Sequence, residues 1–100
     1  MREYARFLVE GVIARQRDLD ERITAVAEHW KLHRIAPVDR SILRLGLFEL
    51  LESADVPPKV AINEAIELAK KYSTEQSGAF VNGILDQAYA ASRRAASKDD

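Results

Sequence analysis

Residues 37–51 read PVDRSILRLGLFELL. At helical pitch, Val38, Ile42, Leu45 and Phe48 fall on one apolar stripe and Leu43, Leu47, Leu50 and Leu51 on a second. Only a narrow strip through Arg40, Ser41, Arg44 and Glu52 is polar. A helix that is apolar on nearly every side needs neighbours on several flanks. Pro37 suits the first helical position, where its missing N–H costs nothing. The stretch has no internal turn signal, and leucine predominates over valine and isoleucine, which argues against a buried strand. The fold is therefore read as all-α, with the other segments covering this central helix.

Upstream, the segment from Arg2 to Arg15 carries Tyr4, Phe7, Leu8, Gly11 and Val12 at amphipathic spacing. Nothing ahead of it packs on that face, so Tyr4, Phe7 and Leu8 are expected to be poorly covered. Asp18 is read as the cap of a second helix, with Asp20 and Glu21 in its first turn suiting the positive end of the dipole. Leu19, Ile23, Val26 and Trp30 form its buried stripe, and Trp30 is read as a core anchor. Downstream, Val56-Pro57-Pro58 makes a rigid elbow, because each residue before a proline is pushed out of the α region. A fourth helix starts between Pro58 and Asn63 and ends near Tyr72. A fifth runs from Ser77 to Arg93, capped by Thr74 or Ser77. Gly46 and Gly83, inside the third and fifth helices, suggest a close crossing between those two. Residues 1–94 are read as one partial helical domain, and 95–100 as a disordered tail.

Composition excludes several classes of function. Net charge is −1 over 100 residues, so no global field draws in nucleic acid and any RNA contact must be local or shared with a partner. The absence of cysteine removes disulfides, thiolate metal sites and cysteine nucleophiles. No apolar run approaches the roughly 20 residues that cross a bilayer, and the start lacks the features of a secretory signal. A cytoplasmic protein without membrane association is expected.

No catalytic constellation or cofactor motif assembles. His29 and His33 stand four apart, but HWKLH lacks the glutamate that a zinc hydrolase helix places after its first histidine. No metal site is assigned. Arg44 projects from an otherwise buried helix and wants a carboxylate, with Glu64 and Glu49 as candidates. Periodicity alone gives an all-α interaction domain and no more.

Three pieces of wording go further: Val38-Asp39-Arg40 through Arg44-Leu45-Gly46-Leu47-Phe48-Glu49-Leu50, then Val60-Ala61-Ile62-Asn63-Glu64-Ala65-Ile66-Glu67-Leu68-Ala69-Lys70, then Phe80-Val81-Asn82-Gly83-Ile84-Leu85-Asp86. Their content, order and separations resemble the C-terminal part of the NusB family of bacterial transcription antitermination factors. The resemblance implies a NusB-like helical bundle of about five helices that lacks the first two helices of the full fold. It implies pairing with the small-subunit ribosomal protein NusE, binding of boxA nascent RNA, and membership of the RNA polymerase antitermination complex, with no enzymatic activity. The family's arginine-rich first helix is a main RNA-binding element. Without it, the chain is expected to be a truncated form or to be completed by a second molecule, with self-association through the uncovered N-terminal helix face as one route. An alternative from the same resemblance is the NusB-like accessory domain of ribosomal RNA cytosine methyltransferases. Asp86 and the INEAIELAK wording favour the antitermination factor.

By resemblance, the RNA-contacting region before and at the start of the last helix maps to Gln76, Ser77 and Phe80. A helix N-terminus there offers N–H groups to phosphate, and the Phe80 ring offers either a base-stacking face or core packing. Ala79 stands where relatives often carry a basic residue. The partner-binding residues implied are Asp39, as an acidic side chain toward a basic partner, and Arg40.

Overall fold

A computed structural model describes residues 2–27 and 32–98. They form five α-helices joined by short connections, with no strand among the described residues: α1 Glu3–Ala14, α2 Gln16–Val26, α3 Pro37–Glu52, α4 Pro58–Tyr72 and α5 Glu75–Lys98. A single 3-10 turn, Leu32–Arg34, leads into α3. Trp30 and His29, read as a core anchor and as half of a histidine pair, lie outside the described residues, as does the His33 side chain.

The central helix is α3, and it packs against each of the other four. Pro37 occupies its first turn, as the sequence predicts. Ile42, Leu43, Leu47, Phe48 and Leu50 are buried, and burying a side chain of this size contributes about 1.5–3 kcal/mol. Val38 departs from its predicted stripe. In the first turn of α3 it points away from the neighbours that Asp39 meets and is 41 % exposed. Leu19 and Ile23 of α2, Ala61, Ala65 and Ala69 of α4, and Val81, Leu85 and Ala88 of α5 complete the core. The alanines on α4 keep its axis close to α3 and α5.

The glycines separate into two kinds. A methyl group added at Gly46 would sit 2.9 Å from Leu85 Cδ1 and 3.4 Å from Ala65 Cβ, so a close approach to α5 and α4 accounts for this position. Gly83 has nothing within 4 Å of such a methyl, so no crossing between α3 and α5 requires it. At Gly11, an added methyl would overlap the Phe48 ring, and this contact seats α1.

Helix ends also differ from the sequence reading. The second helix begins at Gln16, two residues before Asp18, which lies inside its first turn. There Asp18 takes hydrogen bonds from Arg15 Nη2 (2.8 Å) and Arg22 Nε (3.1 Å). Partial burial alone would raise the Asp18 carboxyl, but the hydrogen bonds and charges of Arg22 and Arg15 outweigh it and hold it below its ordinary value. Thr74, the first of the two residues considered, caps α5: its Oγ1 accepts the Ser77 N–H at 3.1 Å. The last helix continues past Arg93 to Lys98, through four of the six residues read as a tail. Ala95 and Ala96 are exposed but are good helix formers, so the helix continues through them without tertiary cover.

α1 contains no buried residue. Leu8 and Val12 pack against the core from one side, while Tyr4, Phe7 and Ile13 are 46 %, 43 % and 68 % exposed. The Phe7 ring leans on Phe48 with centroids 5.3 Å apart. The poor cover expected for this face therefore holds for Tyr4 and Phe7, and Leu8 is half-buried.

Candidate nucleic-acid and partner interface

The first turns of α3 and α5 meet, and this meeting builds the one region where the sequence-predicted site residues gather. Ser77 is buried in the first turn of α5. A carboxylate only accepts, so the Ser77 hydroxyl donates to Asp39 Oδ2 at 3.0 Å. Its oxygen also lies 2.9 Å from Thr74 Oγ1 and 3.0 Å from Ser73 Oγ. Four side chains from the loop and two helices thus form one polar cluster. Asp39 is only 8 % exposed, and its second oxygen, Oδ1, is buried with no hydrogen-bond partner. Such an orphaned acceptor is costly unless something donates to it.

A cleft of about 220 Å³ opens beside this cluster, lined by Arg34, Ile35, Ala36, Asp39, Thr74, Gln76, Ser77 and Phe80. Gln76 is exposed, and Phe80 is half-buried. Phe80 packs against the core and also lines the cleft. Arg40 is not among the lining residues; its Nη1 reaches back to the Leu32 carbonyl at 3.5 Å and braces the 3-10 turn. Sequence reasoning missed Arg34, Ile35, Ala36 and Thr74 as cleft residues. Only the position of the first three immediately before Pro37 hinted that they would share the mouth of α3.

The arginine of the central helix is satisfied elsewhere. Arg44 grips Asp20 of α2 through Nε–Oδ1 (2.7 Å) and Nη2–Oδ2 (2.9 Å), a two-pronged pair that ties α2 to α3. Neither Glu64 nor Glu49 is its partner, because both face the α1 side of α3 while Arg44 points to α2. No group of three or more His, Asp or Glu side chains suited to a metal occurs among the described residues. No helix among them is long and apolar enough to cross a membrane.

Comparison with known proteins decides the family. The sequence model of the NusB family matches residues 1–90. The chain belongs to the NusB family. Among its curated relatives, the transcription antitermination protein NusB of Anaeromyxobacter dehalogenans (strain 2CP-1) is 59 % identical over 85 residues, covering 85 % of this chain and 59 % of the relative. The NusB of Geobacter sulfurreducens is 50 % identical over 86 residues, covering 86 % of this chain and 62 % of its own length. A solved structure of T. maritima NusB superposes with a TM-score of 0.84 at 46 % identity, covering 88 % of this chain and 62 % of that one. The chain thus spans about 59 % of the length of the first of these NusB relatives, and the helical NusB fold predicted from the wording of α3, α4 and α5 is the fold observed.

Proposed function

We propose that this NusB-family chain is a non-enzymatic adaptor in transcription antitermination, which pairs with ribosomal protein NusE and, in that pair, binds boxA-type nascent RNA. The observation that supports this reading best is the cleft between the first turns of α3 and α5. It gathers Asp39, assigned to the protein partner, with Gln76, Ser77 and Phe80, assigned to RNA. In this reading Gln76 and Phe80 of the cleft meet a base, Gln76 through amide hydrogen bonds and Phe80 through its ring. Ser77 contributes by holding Asp39 and the start of α5. Arg40 acts through the 3-10 turn that forms one wall. The relatives named above are antitermination proteins, which favours this reading over a methyltransferase accessory domain.

Net charge of −1 means that little of the RNA affinity can come from this chain's own field, so the pair with NusE is the binding species. The test is a fluorescence-anisotropy titration of boxA RNA with the chain, with NusE, and with both. The pair is expected to bind and the chain alone to bind only weakly. Within the pair, Phe80→Ala loses about 1–3 kcal/mol of RNA affinity, the worth of one stacked base. Asp39→Asn weakens NusE binding by calorimetry; lysine is avoided there, since it would be forced into a buried position. Sub-micromolar RNA binding by the chain alone, or unchanged affinities in both variants, would overturn the assignment.

A further inference from the structure

Three of the four glycines are accounted for inside the molecule. An added methyl would overlap Phe48 at Gly11 and press on Leu85 at Gly46; at Gly78 it would meet Lys70 Cε at 3.0 Å and Ile66 Cγ2 at 3.3 Å. Gly83 differs. It lies within α5, where glycine weakens a helix relative to alanine. Among the described residues, a methyl placed there meets nothing within 4 Å. The result is a patch of bare helix backbone facing outward, and glycine is the residue that lets another molecule approach a backbone closely. The patch is not isolated. Phe80 of the cleft stands about one turn before it, and Asp86 and Gln87 about one turn after, at spacings that make them its neighbours on the helix surface. Asp86 and Gln87 are exposed, and neither makes a side-chain hydrogen bond or ion pair among the described residues.

The rim decides what kind of group fits this floor. Its far side offers a carboxylate and an amide, with none of the large apolar anchors on which protein interfaces centre. A carboxylate repels a phosphate but accepts a hydrogen bond from a hydroxyl. A neutral, hydroxyl-bearing ring that lies beside an aromatic side chain is the sugar of a nucleotide whose base stacks on that side chain. We propose that the floor at Gly83 seats the ribose of the nucleotide whose base lies on Phe80, with its 2′-hydroxyl donating to the Asp86 carboxylate and the Gln87 amide completing the rim. A side chain at position 83 would lift the sugar off the backbone and out of reach of Asp86. This inference rests on the RNA reading of the cleft and adds to it a means of telling RNA from DNA, because the 2′-hydroxyl is the group that distinguishes them.

The test titrates the chain paired with NusE, by fluorescence anisotropy, against boxA RNA and against the same RNA carrying one 2′-deoxy nucleotide at each position in turn. Gly83→Ala is expected to weaken RNA binding about tenfold, as one methyl forced into a tight contact does. The same variant melts above the parent, which separates lost binding from lost fold. In the parent, a single deoxy position weakens binding about fivefold, the effect of one hydrogen bond, and that position has no further effect in Asp86→Ala. Glu67→Gln on α4 leaves the affinity of every RNA unchanged. If Phe80→Ala weakens binding and Gly83→Ala does not, or if no deoxy position depends on Asp86, the ribose seat is overturned while the RNA reading of the cleft stands. If the pair binds no boxA RNA, both fall. A Gly83→Ala chain that melts below the parent also overturns the proposal, since the floor is then filled from within the molecule.

Discussion

The Ser77 hydroxyl donates to Asp39 Oδ2 across 3.0 Å, fastening the first turn of α5 to the first turn of α3 over a sequence separation of 38 residues. Both residues are buried, so the bond is made away from water's competition. Ser77→Ala leaves Asp39 with neither oxygen paired, and a stability loss of about 1–3 kcal/mol is expected in urea unfolding. Asp39→Ala should cost a similar amount, and the double variant less than the sum, because the second change removes a partner already lost. Strict additivity would mean that the two side chains do not act together.

The two interior glycines of α3 and α5 should respond in opposite directions to alanine. At Gly83 the added methyl meets nothing within 4 Å, so only the helix-propensity gain remains, up to about 1 kcal/mol. At Gly46 the same gain is opposed by a contact at 2.9 Å with Leu85, which is fully buried and has no room to retreat. Overpacking of this kind costs typically about 1–3 kcal/mol. Thermal unfolding should therefore rise for Gly83→Ala and fall for Gly46→Ala.

These glycines also show how far the sequence could be read. The all-round apolarity of 37–51 located the central helix and its proline start. The spacing of Leu19 and Ile23, and of Val81 and Leu85, placed their helices, because a buried stripe leaves a periodic mark. Which glycine meets a neighbour leaves none, since both look alike in the chain. The partner of Arg44 was likewise hidden: Asp20 resembled a helix-start carboxylate, and only the packing of α2 beside α3 brings it to the guanidinium. The helix start falls two residues before Asp18, whose carboxylate is satisfied by Arg15 just ahead of the helix and Arg22 one turn on. At the cleft, the family wording supplied Asp39, Ser77, Gln76 and Phe80 as separate residues, but not the hydrogen bond between the first two.

The Arg44–Asp20 pair makes a prediction that distinguishes shape from charge. Both side chains are largely covered, at 17 % and 21 % exposed, and the pairing is two-pronged. Arg44→Lys keeps the charge but loses one of the two parallel bonds, so it should not restore stability. Asp20→Asn is expected to cost about 1–3 kcal/mol, because the largely covered guanidinium keeps only one acceptor oxygen, faces an NH2 group with its other prong and loses the opposing charge. Chemical denaturation of both variants checks this. Parent-like stability in Arg44→Lys would reduce the pair to a simple charge contact.

Acid titration of folding should show two opposed contributions. Partial burial, then the charge of Glu49 and the hydrogen bond to it, raise the Glu64 carboxyl above its ordinary 4.5. A group raised on folding binds its proton more tightly in the native state. Its stabilising contribution is therefore complete below the unfolded value and is lost as pH climbs through the raised native one. Asp18 is lowered from 3.8, so its contribution is present above that value and disappears as pH falls. Glu64→Gln, which cannot titrate, should gain on the parent as pH rises from about 4 toward neutrality. Asp18→Asn should lose most at neutral pH and converge with the parent in acid. Melting temperatures across pH 3–7 for the three proteins test both signs at once, and a Glu64→Gln curve parallel to the parent throughout would remove the carboxyl pair from the pH dependence.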